Sequence, residues 1–151
     1  MFEDWIVELR QRRLEGLDRP TLCGEAASIA RLRAAADAYE ARVLDAVDRL
    51  GDRGAPASTV ARSAGRCSQR EADRKARRAA TLAQVPSAAE ALAAGRLSVE
   101  HVDSLGRAAE ATSPEAVESS GLVDAACRRP ADLHAKDARE WSRRHQTDAD
   151  L

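Results

Sequence analysis

Residues Ser58–Ala80 read STVARSAGRCSQREADRKARRAA, and the fold class and the candidate site both turn on this stretch. A short helix is expected over Thr59–Ala64, with Ser58 as an acceptable N-cap and Val60 and Ala64 facing inward. Ala64-Gly65 marks a tight turn, because glycine enters the left-handed backbone region without a Cβ clash. Ser68-Gln69-Arg70-Glu71 has the pattern of a capping box, in which the serine hydroxyl covers the glutamate amide and the glutamate side chain covers the serine amide. A second helix therefore starts there. Along it Ala72, Ala76, Ala79 and Ala83 form a stripe of small apolar residues. Arg70, Arg74, Arg77 and Arg78 fall on the opposite side, with Lys75 at its flank. A helix seated on alanines and carrying arginines outward is a helix-turn-helix pattern whose simplest use is DNA. A solvated, solubilising face is the other reading open to a basic helix. Gly65-Arg66-Cys67-Ser68 also has one residue more than the commonest DNA-binding turn, which rotates the second helix relative to a standard major-groove approach.

The 151-residue chain has a net charge of -1, unevenly spread. Residues 1–57 carry 9 Lys/Arg against 11 Asp/Glu, residues 58–80 carry 7 against 2, and residues 81–151 carry 8 against 12. The central stretch is the net-positive part, and local positive charge is what draws a polyanion. Arg62, Arg66, Arg70, Arg74, Lys75, Arg77 and Arg78 are accordingly the candidate nucleic-acid contacts, to phosphates first and base edges second. Aromatics make up only 3% of the chain, and strands favour aromatic and β-branched residues, so packed helices are expected.

On the N-terminal side, Trp5, Ile6, Leu9 and Leu14 predict a helix over Asp4–Leu17 that docks by that stripe, followed by a break from Asp18 to Thr21. Glu25–Leu50 is expected to be the longest helix. Ile29, Leu32, Ala36, Tyr39, Val43, Val47 and Leu50 step by three or four residues and define its apolar face. That face suits the core of a bundle, or a homodimer seam through helix 25–50, because the steps resemble an a/d pattern. Gly51–Pro56 is a loop.

On the C-terminal side, Ser87 and Glu90 suggest another capping box, opening a short helix to Ala94. Segment 94–109, AGRLSVEHVDSLGRAA, nearly repeats 64–79, AGRCSQREADRKARRA, at an offset of 30. The repeat pairs Gly65 with Gly95, Cys67 with Leu97, Ser68 with Ser98, Asp73 with Asp103 and Arg77 with Arg107. It predicts two similar hairpins, the second with Glu100, His101 and Asp103 in place of the basic face. Ser113-Pro114-Glu115 is a strong helix start, with Val117, Leu122, Val123 and Ala126 continuing it. A last helix begins at Pro130 and runs through Trp141 to Arg144, and Gln146–Leu151 is expected to fray.

Chemistry beyond binding finds little support. Cys23, Cys67 and Cys127 form no C-x-x-C pair and read as buried free thiols of a reducing cytoplasm. The three histidines, His101, His134 and His145, have no zinc-ligand spacing. His134 with Asp137 and His145 with Asp148 are ordinary helix-surface pairs. No phosphate loop, metal site, cofactor site or nucleophile arrangement is expected, nor any signal peptide or membrane span.

The loop ending GAPAS, the helix with Ala61 and Gly65, Ser68-x-x-x-Ala72, Leu82, Pro86, Ala91-Leu92, Ala94-Gly95-x-Leu97-Ser98 and His101-Val102 together resemble domain of unknown function 222, the 13E12 repeat family of actinobacterial proteins. The resemblance covers roughly Ile29–Leu133, and A-G-x-L-S-x-x-H is its most specific part. Family members often show Trp-Leu-Ala where this chain has Thr59-Val60-Ala61. In that family the domain commonly precedes an HNH endonuclease domain, whose residues lie downstream and have no counterpart after His145 here. The resemblance implies association with a DNA-acting enzyme. The expectation is a single all-α domain over 1–151: about seven or eight helices in an orthogonal bundle, with a long central helix and two helix-turn-helix-like hairpins. Its expected partner is DNA, and its expected location the cytoplasm.

Overall fold

A core built chiefly from alanine and leucine favours helices, and helices are what form. The computed structural model describes the backbone of residues 1–150 and the side chains of residues 1–146. The frayed end expected over Gln146–Leu151 falls largely outside these described side chains. Among the described residues there are nine helices and no strand: α1 Phe2–Gln11, α2 Arg19–Arg49, α3 Ala57–Gly65, α4 Gln69–Gln84, α5 Pro86–Ala93, α6 Val99–Ala111, α7 Pro114–Ser119, α8 Leu122–Ala126 and α9 Ala131–Asp150. None of the described helices is long and apolar enough to cross a membrane. The chain divides into two compact units, Met1–Ala30 and Arg31–Leu151.

In the first unit, α1 stops at Gln11 because Arg12 turns extended, with φ -63° and ψ 131°. Trp5, Ile6, Leu9 and Leu14, the stripe expected to dock, are all exposed, and no residue of α1 is buried. Asp18, expected in a break, instead caps α2. Its Oδ1 accepts from the Thr21 amide at 2.9 Å, and hydrogen bonding with the Thr21 side chain first, then with this amide, holds the carboxyl below the usual carboxylate range. Pro20 then lies in the first helical turn, where a missing N–H costs little. The helix consequently starts well before Glu25, whose carboxylate meets Arg12 at 3.1 Å.

In the second unit, α2 buries Ala34, Ala38, Ala41 and Leu44, not the apolar face expected from periodicity. Leu32, Tyr39, Val43 and Leu50 stay 36%, 49%, 41% and 70% exposed. The physical reason lies on neighbouring helices. Lys75 of α4 reaches Glu40 at 3.2 Å, and Asp48 accepts from the Ala57 amide that opens α3 at 2.8 Å. Glu40 and Asp48 flank the alanine side, so satisfying them turns that side inward.

The Asp48 bond starts α3 at Ala57. The phase shift buries Ala57 and Ala61, leaves Val60 half-buried and exposes Ala64. Gly65 completes the helix, and the left-handed turn residue is Arg66, with φ 53° and ψ 33°, rather than the glycine. Ser68 caps α4, accepting from the Glu71 amide at 3.1 Å. The reciprocal half of the expected capping box is not made, because the Glu71 carboxylate is turned to Arg74 and Arg78. α4 buries Ala72, Ala79 and Leu82, leaving Ala76 half-buried and Ala83 exposed.

α5 begins with Pro86 at its first position. The box expected between Ser87 and Glu90 is replaced by a longer tie, Ser87 Oγ donating to Glu118 at 2.7 Å. Of the repeated features, Ser68 and Ser98 both sit at helix N-caps, and Leu97 is buried where Cys67 is half-buried. The turns differ: Gly95 is left-handed at φ +78°, while Gly65 is helical. α5 packs on α4 and α8, and α6 lies against α4, α7 and α9. Ser113 caps α7 as expected, accepting from the Ala116 amide at 3.0 Å, but Gly121 at φ +78° divides the single helix expected there into α7 and α8. The three cysteines are free; Cys67 and Cys127 are half-buried, and Cys23 is exposed rather than buried.

Gly95 is the glycine with least tolerance. A Cβ there would lie 2.8 Å from Arg31 Cγ and 3.2 Å from Arg31 Cα, in a backbone region that also strains an L-residue. Gly95→Ala is expected to lower stability by about 1–2 kcal/mol in a denaturant melt. Gly24→Ala, inside α2 with nothing within 4 Å, should not lower it.

Candidate nucleic-acid interface

Helix α4 supplies most of the seven expected cations, and the structure sorts them into two groups. Arg62, Arg66, Arg70, Arg74 and Arg77 are exposed. Lys75, expected at the flank, and Arg78, expected on the outward side, are not, which corrects the outward placement of Arg78. Arg78 is 13% exposed and grips Asp103 of α6 as a fork, Nε to Oδ1 at 2.8 Å and Nη2 to Oδ2 at 2.9 Å. Its Nη1 reaches Glu71 at 3.1 Å. Bidentate, charge-assisted bonds of this kind are the strong ones, and they hold the guanidinium above its ordinary pKa. Lys75 makes the corresponding tie to Glu40 of α2. An arginine this far from water needs such carboxylates, and Asp103 is the acid that the second repeat carries in place of the basic face. On the same inner side, burial and the neighbouring Glu40 raise the Asp37 carboxyl above its usual range.

The outward group is differently placed. Arg70, Arg74 and Arg77 follow helical spacing on one exposed face, with Arg66 at the turn before them. Partners here are few and weak: Arg74 lies 3.5 Å from Glu71, and Arg62 donates to Gln69 at 3.4 Å. Gln69 in turn donates to Asp73 at 2.9 Å, occupying the other acid of the stretch. One cation absent from the expected set joins this face. Arg107 of α6 is exposed and lines, with Arg74 and Arg77, a groove between α4 and α6. The helices meet closely there because position 106 is glycine; a Cβ would come 2.7 Å from Thr81 Oγ1. The signal for Arg107 was already in the sequence, as the repeat partner of Arg77.

The histidines serve the scaffold. The backbone amide of Ser98 donates to His101 Nδ1 at 3.1 Å, so the ring proton sits on Nε2, which donates to the Arg129 carbonyl at 2.7 Å. His101 thereby ties the start of α6 to the turn before α9. His134, 1% exposed, lies beside it with ring centroids 5.6 Å apart, an adjacency that spacing could not show. Its Nε2 is buried without a hydrogen-bond partner. Asp137, expected to pair with His134, meets Arg129 at 2.9 Å, and His145 donates back to the Trp141 carbonyl at 2.8 Å. The other expected pair, His145 with Asp148, lies outside the described side chains. Among the described residues no cluster of His, Cys, Asp and Glu is placed to hold a metal ion. No family model, curated protein or solved structure matches this chain.

Two outcomes follow from these contacts. Removing Arg78 strands Asp103, so Arg78→Ala should destabilise the fold by about 2–4 kcal/mol in a chemical melt, while Arg70→Ala or Arg77→Ala should stay within about 0.5 kcal/mol. The second concerns pH. Burial, with His101 adjacent, pushes His134 below its ordinary value. The unfolded chain therefore takes up this proton first, and the stability tied to the neutral ring is complete above about pH 6.5 and declines as pH falls through it. Thermal midpoints should drop between about pH 7.5 and pH 5.5, and His134→Leu should flatten that part of the profile.

Proposed function

We propose that this chain is a DNA-binding module of the kind its resemblance to domain 222 implies, positioning an associated HNH nuclease on DNA. The observation that carries the reading is the sorting of cations on α4. Lys75 and Arg78 are consumed as internal ties, and a rigidly held face of Arg62, Arg66, Arg70, Arg74 and Arg77 remains outside, extended by Arg107. Arginines on a fixed helix suit phosphate contact, since each can give two parallel hydrogen bonds. Catalysis is assigned to the associated domain, and the cytoplasm is the compartment this reading requires.

A titration of duplex DNA at several salt concentrations tests it. Contact by the five arginines should give a log–log slope of about -4 to -5. Reversing Arg70, Arg74 and Arg77 to glutamate should abolish binding while the circular-dichroism melt is retained. Arg66→Gly relieves the left-handed strain, so it should keep or raise stability while reducing the slope by about 1. Binding that is absent at low salt, insensitive to salt, or unchanged by the triple reversal would overturn the proposal.

One observation favours a second reading, assembly through α2: Leu32, Val43 and Leu50 on this helix are exposed.

A further inference from the structure

Helix α6 packs against both α4 and α9. Besides the groove it shares with α4, a larger one of about 480 Å³ runs between α6 and α9. Small side chains on both helices, among them Ala108 and Ala138, leave a trough there instead of an interdigitated seam. Two buried serines complete its floor. Ser142 Oγ donates to the Ala138 carbonyl at 2.8 Å and Ser104 Oγ to the Glu100 carbonyl at 3.4 Å, so both hydroxyls are satisfied within their own helices.

The banks of this trough are basic. Arg107 stands on α6, and Arg139 and Arg143 stand one turn apart on α9, all three exposed. Ser104 Oγ also accepts from Arg107 Nη2 at 3.4 Å, which draws that guanidinium toward the trough. Among the described residues that line the groove there is no carboxylate. Asp137 of α9 is turned to Arg129 at 2.9 Å, and Asp103 of α6 to Arg78. Arg107 lines the α4–α6 groove as well, with Arg74 and Arg77. The two grooves therefore share one arginine, and basic side chains run from α4 across α6 to α9. A count along the chain hides this surface, because residues 81–151 carry 8 Lys/Arg against 12 Asp/Glu.

We propose that the α6–α9 groove is a second seat for the phosphate backbone of duplex DNA, continuous through Arg107 with the α4 face; the proposal rests on the DNA reading and sets how far its footprint extends. Guanidinium groups on both banks suit phosphate oxygens, which each can meet with two parallel hydrogen bonds. Among the described residues no aromatic side chain lines the groove, so it offers no platform for an unstacked base. A duplex, with its phosphates outward, fits these walls better than a single strand. Packed helices lie 8–10 Å apart, so two successive junctions span about 16–20 Å. That is about five or six base pairs at 3.4 Å each. Glu110, which lines the α4–α6 groove, is an acid this path must pass.

The salt dependence of binding to a short DNA duplex reads the footprint. Five arginines on α3, its turn and α4 account for a log–log slope of about -4 to -5, and Arg107, Arg139 and Arg143 should bring it to about -7. Arg139→Gln should reduce the slope by about 1. Arg139→Glu should weaken binding about tenfold or more at fixed salt. Position 139 is exposed, so both variants should keep the circular-dichroism melt. Glu110→Gln should tighten binding. Arg128→Glu makes the same charge change at an exposed arginine that lines neither groove, and should weaken binding much less. A slope near -5 that Arg139→Gln leaves unchanged, or equal weakening by Arg128→Glu and Arg139→Glu, overturns the second seat and leaves the α4 reading standing. Calorimetric binding of inorganic phosphate alone that vanishes in Arg139→Glu makes the groove a site for free anions, and likewise overturns it. A chain that binds no duplex at low salt overturns both.

Discussion

The fork from Arg78 to Asp103, shared with Glu71, is the joint on which the second unit depends. It lies where α4 meets α6, and α4 is also the helix that packs on α3 and α5. The core around it is short of apolar bulk: among the described residues, 13 of the 24 buried apolar ones are alanine. Alanine permits close approach but buries little area per residue, so it orients helices weakly. Orientation then falls to polar ties between elements. Arg78 to Asp103 sets α4 against α6, Lys75 to Glu40 sets α4 against α2, and Ser87 to Glu118 sets α5 against α7. His101, through the Arg129 carbonyl, fixes the start of α6 to the turn before α9.

The same joint creates the candidate interface. A basic helix can present its charges to a ligand only if something else holds the helix. Here the helix uses its own inner cations for that purpose, against acids on α2 and α6. Arg70, Arg74 and Arg77 are left on a face whose position is set by Arg78. The close meeting of Gly106 with Thr81 then brings Arg107 to the same groove. Scaffold and site thus share one set of residues on opposite sides of α4.

Helix α2 shows the other consequence of polar ties deciding orientation. It carries two competing faces, one of alanines flanked by acids and one of larger apolar residues. The acids find Lys75 and the Ala57 amide, and the alanine face goes inward. Leu32, Val43 and Leu50, among the larger apolar side chains of the helix, stay exposed.

Local features were legible in the sequence. Ser68, Ser98 and Ser113 sit at the N-caps their neighbours implied, because a cap is made between residues three apart. The all-helical class was equally legible, since it follows from composition and period. Within the segment A-G-x-L-S-x-x-H, Ser98 and His101 form a clip that reaches the Arg129 carbonyl, a contact with a distant residue that the segment alone does not reveal. What the sequence could not decide was which face of α2 is buried, which cations of α4 are paired, which residue makes the left-handed turn, and that His134 lies beside His101. Each of these depends on the group that arrives opposite from a distant part of the chain. Periodicity reports that a helix has two faces; only the carboxylates and amides on its neighbours determine which one turns inward.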